Sequence, residues 1–203
     1  MVKIGPFNFV VGSGNVVRES RDVRDFDTIV LGGSGAVFIT QTGEESLTIE
    51  AEDNVVPLLT TEVNGRRLEL GTRYGVNLTL HAPIRYHITV KTLRGLIISG
   101  SGKVQATAID TEALEATISG SGNIALSGQA GRQELLISGS GAYEAGEFVS
   151  GSARVRVSGS GSATLNVREA LDVRISGSGS VRYFGQPTVT KSISGSGSIR
   201  QQG

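Results

Sequence analysis

The stretch IISGSGKV, residues 97–104, decides the fold, because its central tetrapeptide Ser-Gly-Ser-Gly returns five more times along the chain. An Ile or Val stands directly before every copy. The six copies open at Ser99, Ser119, Ser138, Ser158, Ser176 and Ser194. Successive copies are 20, 19, 20, 18 and 18 residues apart, and a period near this length is typical of a solenoid. The L-x-x-L-x-L pattern of leucine-rich repeats is missing, so the period favours a solenoid built from strands.

Apolar residues around each copy alternate with polar ones at a period of two, which indicates β-strands. Three rows of residues share one parity and are predicted to face inward. They are Ile98, Ile118, Ile137, Val157, Ile175 and Ile193 before each serine; Val104, Ile124, Tyr143, Ala163, Val181 and Ile199 six residues later; and Leu96, Ala116, Leu135, Val155, Val173 and Lys191 two residues earlier. Only Lys191 departs from the apolar pattern. Stacking the repeats in parallel about 4.8 Å apart would bury these rows as ladders.

The tetrapeptide itself is interpreted as the tightly curved part of each coil. The same parity points Gly100 and Gly102 inward and Ser99 and Ser101 outward. An inward glycine lets the opposite wall approach closely or lets the chain bend where a side chain would clash. The outward serines would stack as hydroxyl ladders that hydrogen-bond from rung to rung. Architecture is therefore favoured over a serine-lined binding surface, because repeated loops in solenoids usually have that role.

Residues 1–97 are also rich in β-patterns but are less regular. Weaker copies of the glycine-serine motif occur at 12–14 and 32–35, and SLTIEAE at 46–52 alternates with Leu47 and Ile49 on one face. These patterns predict irregular N-terminal coils. No linker-like segment separates them from the regular 18–20-residue rungs over 98–203, so we expect a single β-helix domain over 1–203.

A hairpin is predicted within this first half. Asn64-Gly65 supplies the positive φ values of a type I′ turn, and Val63 and Leu68 flank it. We expect the hairpin to protrude from the coils. The stretch NLTLHAPIRYHITV predicts two further strands around Pro83.

The order of these parts resembles a known bacterial family. A DFDTI strand, a GSGAVFITQ strand, an Asn-Gly hairpin and then the ISGSG repeats are similar to the putative auto-transporter adhesin, head GIN domain family, over residues 16–203. Thr92 stands where that pattern leads us to expect Pro. The resemblance implies an all-β, right-handed parallel β-helix and an exported protein at the cell surface, in the extracellular space or in the periplasm.

Composition narrows the chemistry. The chain has 19 basic and 19 acidic residues and no Cys, so it shows no charge signature for nucleic acid and has no disulfide or thiolate chemistry. No run of 18 apolar residues predicts a membrane-spanning helix. The start MVKIGPFNFVVGSG is broken by Gly5 and Pro6 and makes a poor signal peptide. We therefore expect no membrane insertion and no export signal within this chain.

Motifs for phosphate or nucleophile chemistry are incomplete. GSGKV has Val104 after the lysine of a would-be Walker loop, and Gln105 occupies the third glycine position of a dinucleotide fingerprint. GGSGAV has Val37 where a calcium nonapeptide needs Asp. The G-x-S-x-G elbow of serine hydrolases does not occur.

Titratable residues do not assemble into a predicted site either. His81 and His87 lie six residues apart and could share a face, but without a third ligand we favour ordinary surface histidines over a metal site. Asp22, Asp25 and Asp27 alternate with Val23 and Phe26, which favours a charged outer strand face over a calcium site. The acids of the repeat region fall mostly between the motif copies, so we expect no column of acids; they are Asp110, Glu112, Glu115, Glu134, Glu144, Glu147, Glu169 and Asp172. We predict no catalytic, cofactor-binding or metal-binding residues and no cofactor.

These observations favour a non-enzymatic, exported cell-surface module, a putative adhesin head whose partner is an unspecified protein or surface glycan. The alternative is a self-assembling structural subunit, because exposed strand edges at the two ends of a β-helix could stack head-to-tail into an extracellular filament. A polysaccharide hydrolase or lyase is disfavoured by the missing acid constellation, and few aromatics are available for stacking on sugars. Ice binding is disfavoured because the arrays carry Ser rather than Thr.

Overall fold

The computed structural model describes residues 8–202, which fold as a β-solenoid of about five turns. The described residues form seventeen strands and one turn of 3-10 helix at Val56–Leu58. The strands of the first half are β1 (Asn8–Val11), β2 (Val16–Arg21), β3 (Thr28–Gly33), β4 (Ala36–Gln41), β5 (Ser46–Glu52), β6 (Leu59–Asn64), β7 (Arg67–Thr72), β8 (Val76–Thr79) and β9 (Arg85–Val90). Those of the second half are β10 (Gly95–Gly100), β11 (Lys103–Gly120), β12 (Asn123–Gly139), β13 (Ala142–Gly159), β14 (Ser162–Gly177), β15 (Ser180–Phe184), β16 (Thr188–Ser194) and β17 (Ser198–Gln201). The predicted all-β solenoid is confirmed, whereas the signal-peptide interpretation rests on residues outside the described range.

Successive repeats stack in parallel with like residues in register, as the sequence period predicts. Ile98 pairs with Ile118, and Ile118 pairs with Ile137. The ladder continues through Val157 and Ile175 to Ile193. The members from Ile98 to Ile175 are almost completely buried, so the central row is a column of the core, whereas Ile193 on the last rung is 40% exposed and the inward prediction is wrong for it. Each of these branched side chains packs on its copies above and below.

The other two predicted rows are also confirmed. Val104 pairs with Ile124, and that row runs through Tyr143 and Ala163 to the later strands. Lys191 occupies the register position of Val173 in the third row. Its strand, β16, pairs with β14 on one side only among the described strands, so the lysine side chain stays in solvent rather than in the core.

The two glycines of each motif have different physical roles. Gly120, the first of its copy, has a φ of 121°, and an added Cβ would lie 2.6 Å from the carbonyl oxygen of Gly100 on the preceding turn. Gly122, the second, would place a Cβ 2.6 Å from Cγ2 of Ile98. The glycines therefore allow a bend and a close approach, as predicted, but the close neighbour is the preceding turn and not the opposite wall.

The outward serines do not form the expected hydroxyl ladders. Ser99 and Ser119 are exposed and stand in register, yet within residues 8–202 no hydrogen bond joins the hydroxyls of the stacked motif serines. The backbone makes the connection instead: the N–H of Ser121 donates to the carbonyl of Gly100 at 2.9 Å.

The regular stacking begins before the first full repeat. Strand β3 pairs in parallel with β10, and β4 pairs in parallel with β11. The weaker motif copy at 32–35 makes the corner between β3 and β4, and the carbonyl of Gly33 accepts the N–H of Ser101 at 3.2 Å. One sheet therefore continues from the irregular half into the repeats; the single-domain organisation stays a prediction.

The predicted hairpin is present, but its turn and its position differ from the prediction. Asn64 pairs with Arg67, so the two central turn residues are Gly65 and Arg66. Gly65 has a φ of 63°, and neither Asn64 nor Arg66 has a positive φ, which fits a type II′ turn and not type I′. Strand β7 also pairs in parallel with β3, so the hairpin extends the sheet and does not protrude.

Antiparallel strands cover the other face of this first end. Strand β5 pairs antiparallel with β9, and β2 pairs antiparallel with β5. Leu47 and Ile49 of β5 are buried, as their alternation predicts. The two strands expected around Pro83 are β8 and β9, and β8 pairs with β1 in a separate two-stranded parallel sheet. At this end β6 and β5 run opposite to the rungs of the repeats, whereas the outermost strand β2 runs in the same direction as the rungs.

Candidate interaction surface

A half-open groove of about 620 Å³ runs along the solenoid and crosses the strands of successive turns. We call it the axial groove and define it by Gln105, Thr107, Ser127, Glu144, Thr164 and Arg182. Its volume lies in the range of small-ligand sites, and most of its defining side chains are polar. It is the best-formed candidate for a binding site on the described surface.

The strand period explains why these side chains reach the groove. Gln105 lies between buried Val104 and Ala106, so alternation turns it outward. The register then places one outward residue on each turn, in the order Gln105, Ala125, Glu144, Thr164 and Arg182. The buried ladder therefore fixes the spacing of the groove residues along the axis.

Interruptions in the strand register give the surface its concave shape. The pairing of β11 with β12 shifts between Ala106 and Ile109, and Ala108 has a φ of 58°. The pairing of β12 with β13 shifts between Ala125 and Ser127. β-Bulges of this kind bend the bulged strand. The groove follows this bend, which no motif in the sequence marks.

Several polar groups in the groove have unused hydrogen-bonding capacity. Within the described range, the side chains of Gln105, Glu147 and Arg182 make no hydrogen bond or ion pair with other protein groups. Glu144 accepts one hydrogen bond, from Nδ2 of Asn123 at 3.4 Å. The groove thus offers donors, acceptors and both signs of charge to a ligand.

Two phenylalanine rings lie close to residues of the axial groove. Phe38 pairs in register with Gln105 and stacks on His87, with ring centroids 5.3 Å apart and planes inclined by 15°. Phe184 lies beside Gly146, a residue that lines the groove, and a Cβ at Gly146 would sit 3.5 Å from the Phe184 ring. Phe38 and Phe184 are each 37% exposed. The sequence reasoning missed this placement, although the inward parity of Val37 and Ile39 forces Phe38 outward.

A second face carries an acidic column that the sequence analysis did not find. Glu115 pairs with Glu134, Glu134 pairs with Arg154, and Arg154 pairs with Asp172. The expectation that the acids form no column is therefore wrong for these three. Parallel stacking brings residues about twenty positions apart onto adjacent rungs. Arg154 reaches Asp172 at 3.6 Å, so part of the column is neutralised by an exposed ion pair.

The two histidines have different partners. His81 Nδ1 lies 3.0 Å from the carbonyl oxygen of Gly12 and 3.4 Å from Oε1 of Glu52. His87 stacks on Phe38. Across residues 8–202, no three His, Cys, Asp or Glu residues cluster in a way that could hold a metal ion.

The aspartate cluster at 22–27 lies in a loop and not on a strand, so the predicted charged strand face is wrong. Asp27 is buried and pairs with Nε of Arg66 at 2.7 Å. Its second oxygen accepts the hydroxyl of Thr28 at 3.1 Å. Val23 and Phe26 are buried, and the positive φ of Asp25 bends the loop. Asp27 therefore anchors the loop to the hairpin through Arg66.

Glu52 is a buried carboxylate that holds the loop between β1 and β2. Burial would raise the pKa of Glu52, but the N–H groups of Gly14, His81 and Ala82 point at its oxygens and together lower the pKa. The Gly14 contact is 2.7 Å. A side chain at Gly12 would collide with this carboxylate. These contacts identify Glu52 as a structural anchor.

Tyr143 and Gln133 form a hydrogen-bonded polar pair inside the buried core of the solenoid. The Tyr143 hydroxyl donates to Oε1 of Gln133 at 2.8 Å, and Nε2 of Gln133 donates to Ser150 Oγ at 2.7 Å. All three side chains are buried. Burial strongly raises the pKa of Tyr143, so its hydroxyl stays protonated and serves as a donor. The pair is closed to solvent and contributes to packing.

Comparisons with known proteins agree with this architecture. The family model described as putative auto-transporter adhesin, head GIN domain, matches residues 25–187. A solved structure of a putative adhesin from Bacteroides fragilis is 25% identical, with a TM-score of 0.79 over 95% of this chain and 100% of that one. No curated protein sequence matches the chain. None of the described residues forms a helix long and apolar enough to cross a membrane.

Two further structures, both from Parabacteroides distasonis, show the fold alone. A putative lipid binding protein is 24% identical, with a TM-score of 0.64 over 97% of this chain and 100% of that one. A putative adhesin is 20% identical, with a TM-score of 0.63 over 96% of this chain and 100% of that one. The family resemblance seen in the sequence is confirmed.

Proposed function

The chain belongs to the putative auto-transporter adhesin, head GIN domain family, and from that premise we propose that it is a non-enzymatic, exported interaction module. In this proposal the protein acts at the bacterial cell surface, where the side of the solenoid contacts a partner. The observation that carries the proposal is the axial groove. Its polar side chains have free hydrogen-bonding groups and are held in a fixed order by the buried ladder.

The binding role in this proposal follows from the groups that the axial groove offers. Glu144 and Glu147 line the same groove as Gln105 and Arg182. Together these side chains supply hydrogen-bond acceptors and donors to a ligand.

The filament alternative gains no support from the strand arrangement. Head-to-tail stacking requires an end that accepts a further rung in the parallel register of the repeats. At the first end, the outermost strand β6 runs opposite to the rungs, whereas β2 runs in their direction. A further repeat could therefore not add in parallel to both of these strands at once.

Labelled protein binding to whole cells and to immobilised matrix proteins and glycans tests the proposed function. We expect saturable binding that the charge reversal Glu144→Lys reduces. The matched control is Glu134→Lys, because Glu134 is an exposed glutamate that lines the groove on the second face. Absence of binding to every surface, or equal losses in the two variants, would contradict a function based on the axial groove.

A further inference from the structure

We propose that the ligand of the axial groove is an uncharged, extended 1,4-linked glycan chain that lies along the solenoid axis. This inference rests on the proposed function, because it names the class of partner for the same groove. Four features of the groove lead to it: its repeat distance, its length, its hydrogen-bonding groups and its aromatic borders.

The repeat distance of the groove matches a sugar chain better than a peptide. One outward side chain is presented on each turn, about 4.8 Å after the last. Neighbouring pyranose rings of an extended 1,4-linked glycan recur at close to this distance. An extended peptide presents side chains to one face about every 6.8 Å, twice its rise per residue. A glycan can therefore place one ring along each interval between neighbouring turns, whereas a peptide falls out of register.

The length of the groove sets the number of rings. The in-register residues from Gln105 to Arg182 lie on five successive strands, β11 to β15. Four intervals of about 4.8 Å give a span of about 19 Å. Such a span accommodates about four sugar rings.

The hydrogen-bonding groups favour a neutral, hydroxyl-bearing ligand. Gln105 both donates and accepts, Glu144 and Glu147 accept, and Arg182 donates. Sugar hydroxyls can satisfy each of these groups because a hydroxyl has both roles. A polyanionic chain would meet the two glutamates, which have no ion-pair partner in the described part of the chain. Uncharged glycans are therefore expected to bind more tightly than uronic acid or sulfated chains.

Aromatic side chains border this polar track at positions that a sugar ring can reach. Phe38 stands one rung before Gln105 and is held by its stack on His87. Phe184 lies beside Gly146, which lines the groove. The apolar face of a pyranose ring packs on an aromatic face, while its hydroxyls remain free for polar contacts.

Calorimetric titration with cello-, xylo- and chito-oligosaccharides of two to six units tests the proposal. At least one series should show affinity that rises with length up to about four units and then levels off. Gln105→Ala should weaken binding by about three- to tenfold, the value of one or two hydrogen bonds. Phe38→Ala should weaken it comparably. Tyr74→Ala is the matched control, because Tyr74 is a fully exposed aromatic residue outside the in-register track that runs from Phe38 through Gln105 to Arg182.

The outcomes separate this inference from the proposed function. Binding to cells that depends on Glu144, without affinity for any oligosaccharide series, would overturn the glycan assignment and leave the surface function standing. Tighter binding of polygalacturonate or heparin, or of an extended peptide, would also overturn it. Equal effects of Phe38→Ala and Tyr74→Ala would remove the axial groove as the glycan site.

Discussion

The substitution Gly139→Ala tests whether the motif glycines set the distance between turns. Gly139 has a φ of 121°, and an added Cβ would lie 2.5 Å from the carbonyl oxygen of Gly120 on the preceding turn. A non-glycine residue held in such a backbone region costs about 1–3 kcal/mol. Overpacking against a neighbour that cannot move freely costs about 1–3 kcal/mol more. We therefore expect a loss of about 4 kcal/mol in the free energy of unfolding.

This loss is large for a chain of this size. One kcal/mol corresponds to a shift of about 2–4 °C in the unfolding midpoint of a domain of 150–250 residues. Gly139→Ala should therefore lower the midpoint by about 8–16 °C. Thermal and urea unfolding followed by far-ultraviolet circular dichroism measure the change, with the urea slope compared between variants to detect partial unfolding.

Two further variants separate the backbone and contact contributions. Gly43 also has a positive φ, 89°, but an added Cβ there has no atom within 4 Å. Gly43→Ala should therefore cost only about 1–2 kcal/mol, the backbone part alone. Ser140→Ala changes an exposed residue and should stay within about 0.5 kcal/mol of the wild type. If Gly139→Ala lowers the free energy of unfolding no more than Gly43→Ala does, the added methyl group meets no costly contact with the preceding turn, and the reasoning is refuted.

Two buried polar groups give further predictions. Tyr143→Phe should lower the free energy of unfolding by about 1–3 kcal/mol in urea titrations, because Oε1 of Gln133 loses its buried donor; an unchanged midpoint would show that Gln133 finds another partner. Glu52→Gln should lower the thermal midpoint at pH 7, because the N–H groups of Gly14 and His81 lose a charged acceptor. The lowered pKa of Glu52 means that its stabilisation is present above the usual glutamate pKa and is lost as the pH falls through the folded-state value. The gap between this variant and the wild type should therefore narrow in unfolding experiments at pH 3, and a constant gap would contradict the ionised anchor.

Much of the solenoid could be predicted because the aligned motif copies determine which residues pair between neighbouring turns. The Ile-Ser-Gly-Ser-Gly copies align Ile98 with Ile118 and Ile137, and parity alone then separates inward from outward positions. The same reasoning places Phe38 outward, between Val37 and Ile39. What it lacks is the partner strands of the irregular half that carry no motif copy, such as β9, which pairs with β4.

The groove and the anchors depend on long-range contacts that leave weaker traces in the sequence. The bend at Ala108 appears only when two turns of unequal length pair with a register shift. In the sequence, Asp27 resembles the other surface acids around it, because its partner Arg66 comes beside it only in the folded structure. The hairpin turn falls at Gly65-Arg66 because pairing of Val63 with Leu68 sets the register. In each case a tertiary contact decided between local options of similar energy.

Within each turn, the positions that hold the coil together differ from those available for binding. The central inward row repeats Ile or Val at every turn, and the other two inward rows stay apolar from β10 to β15, because each side chain must pack on its neighbour in the next turn. The outward residues of the axial groove differ at every step, from Gln105 to Ala125, Glu144, Thr164 and Arg182. If this outward face only stabilised the stacking of the turns, like residues that stack on one another would stabilise it most. A ligand along this track would meet an aromatic and amide end first, then acids, then a guanidinium, so it would bind in one preferred direction.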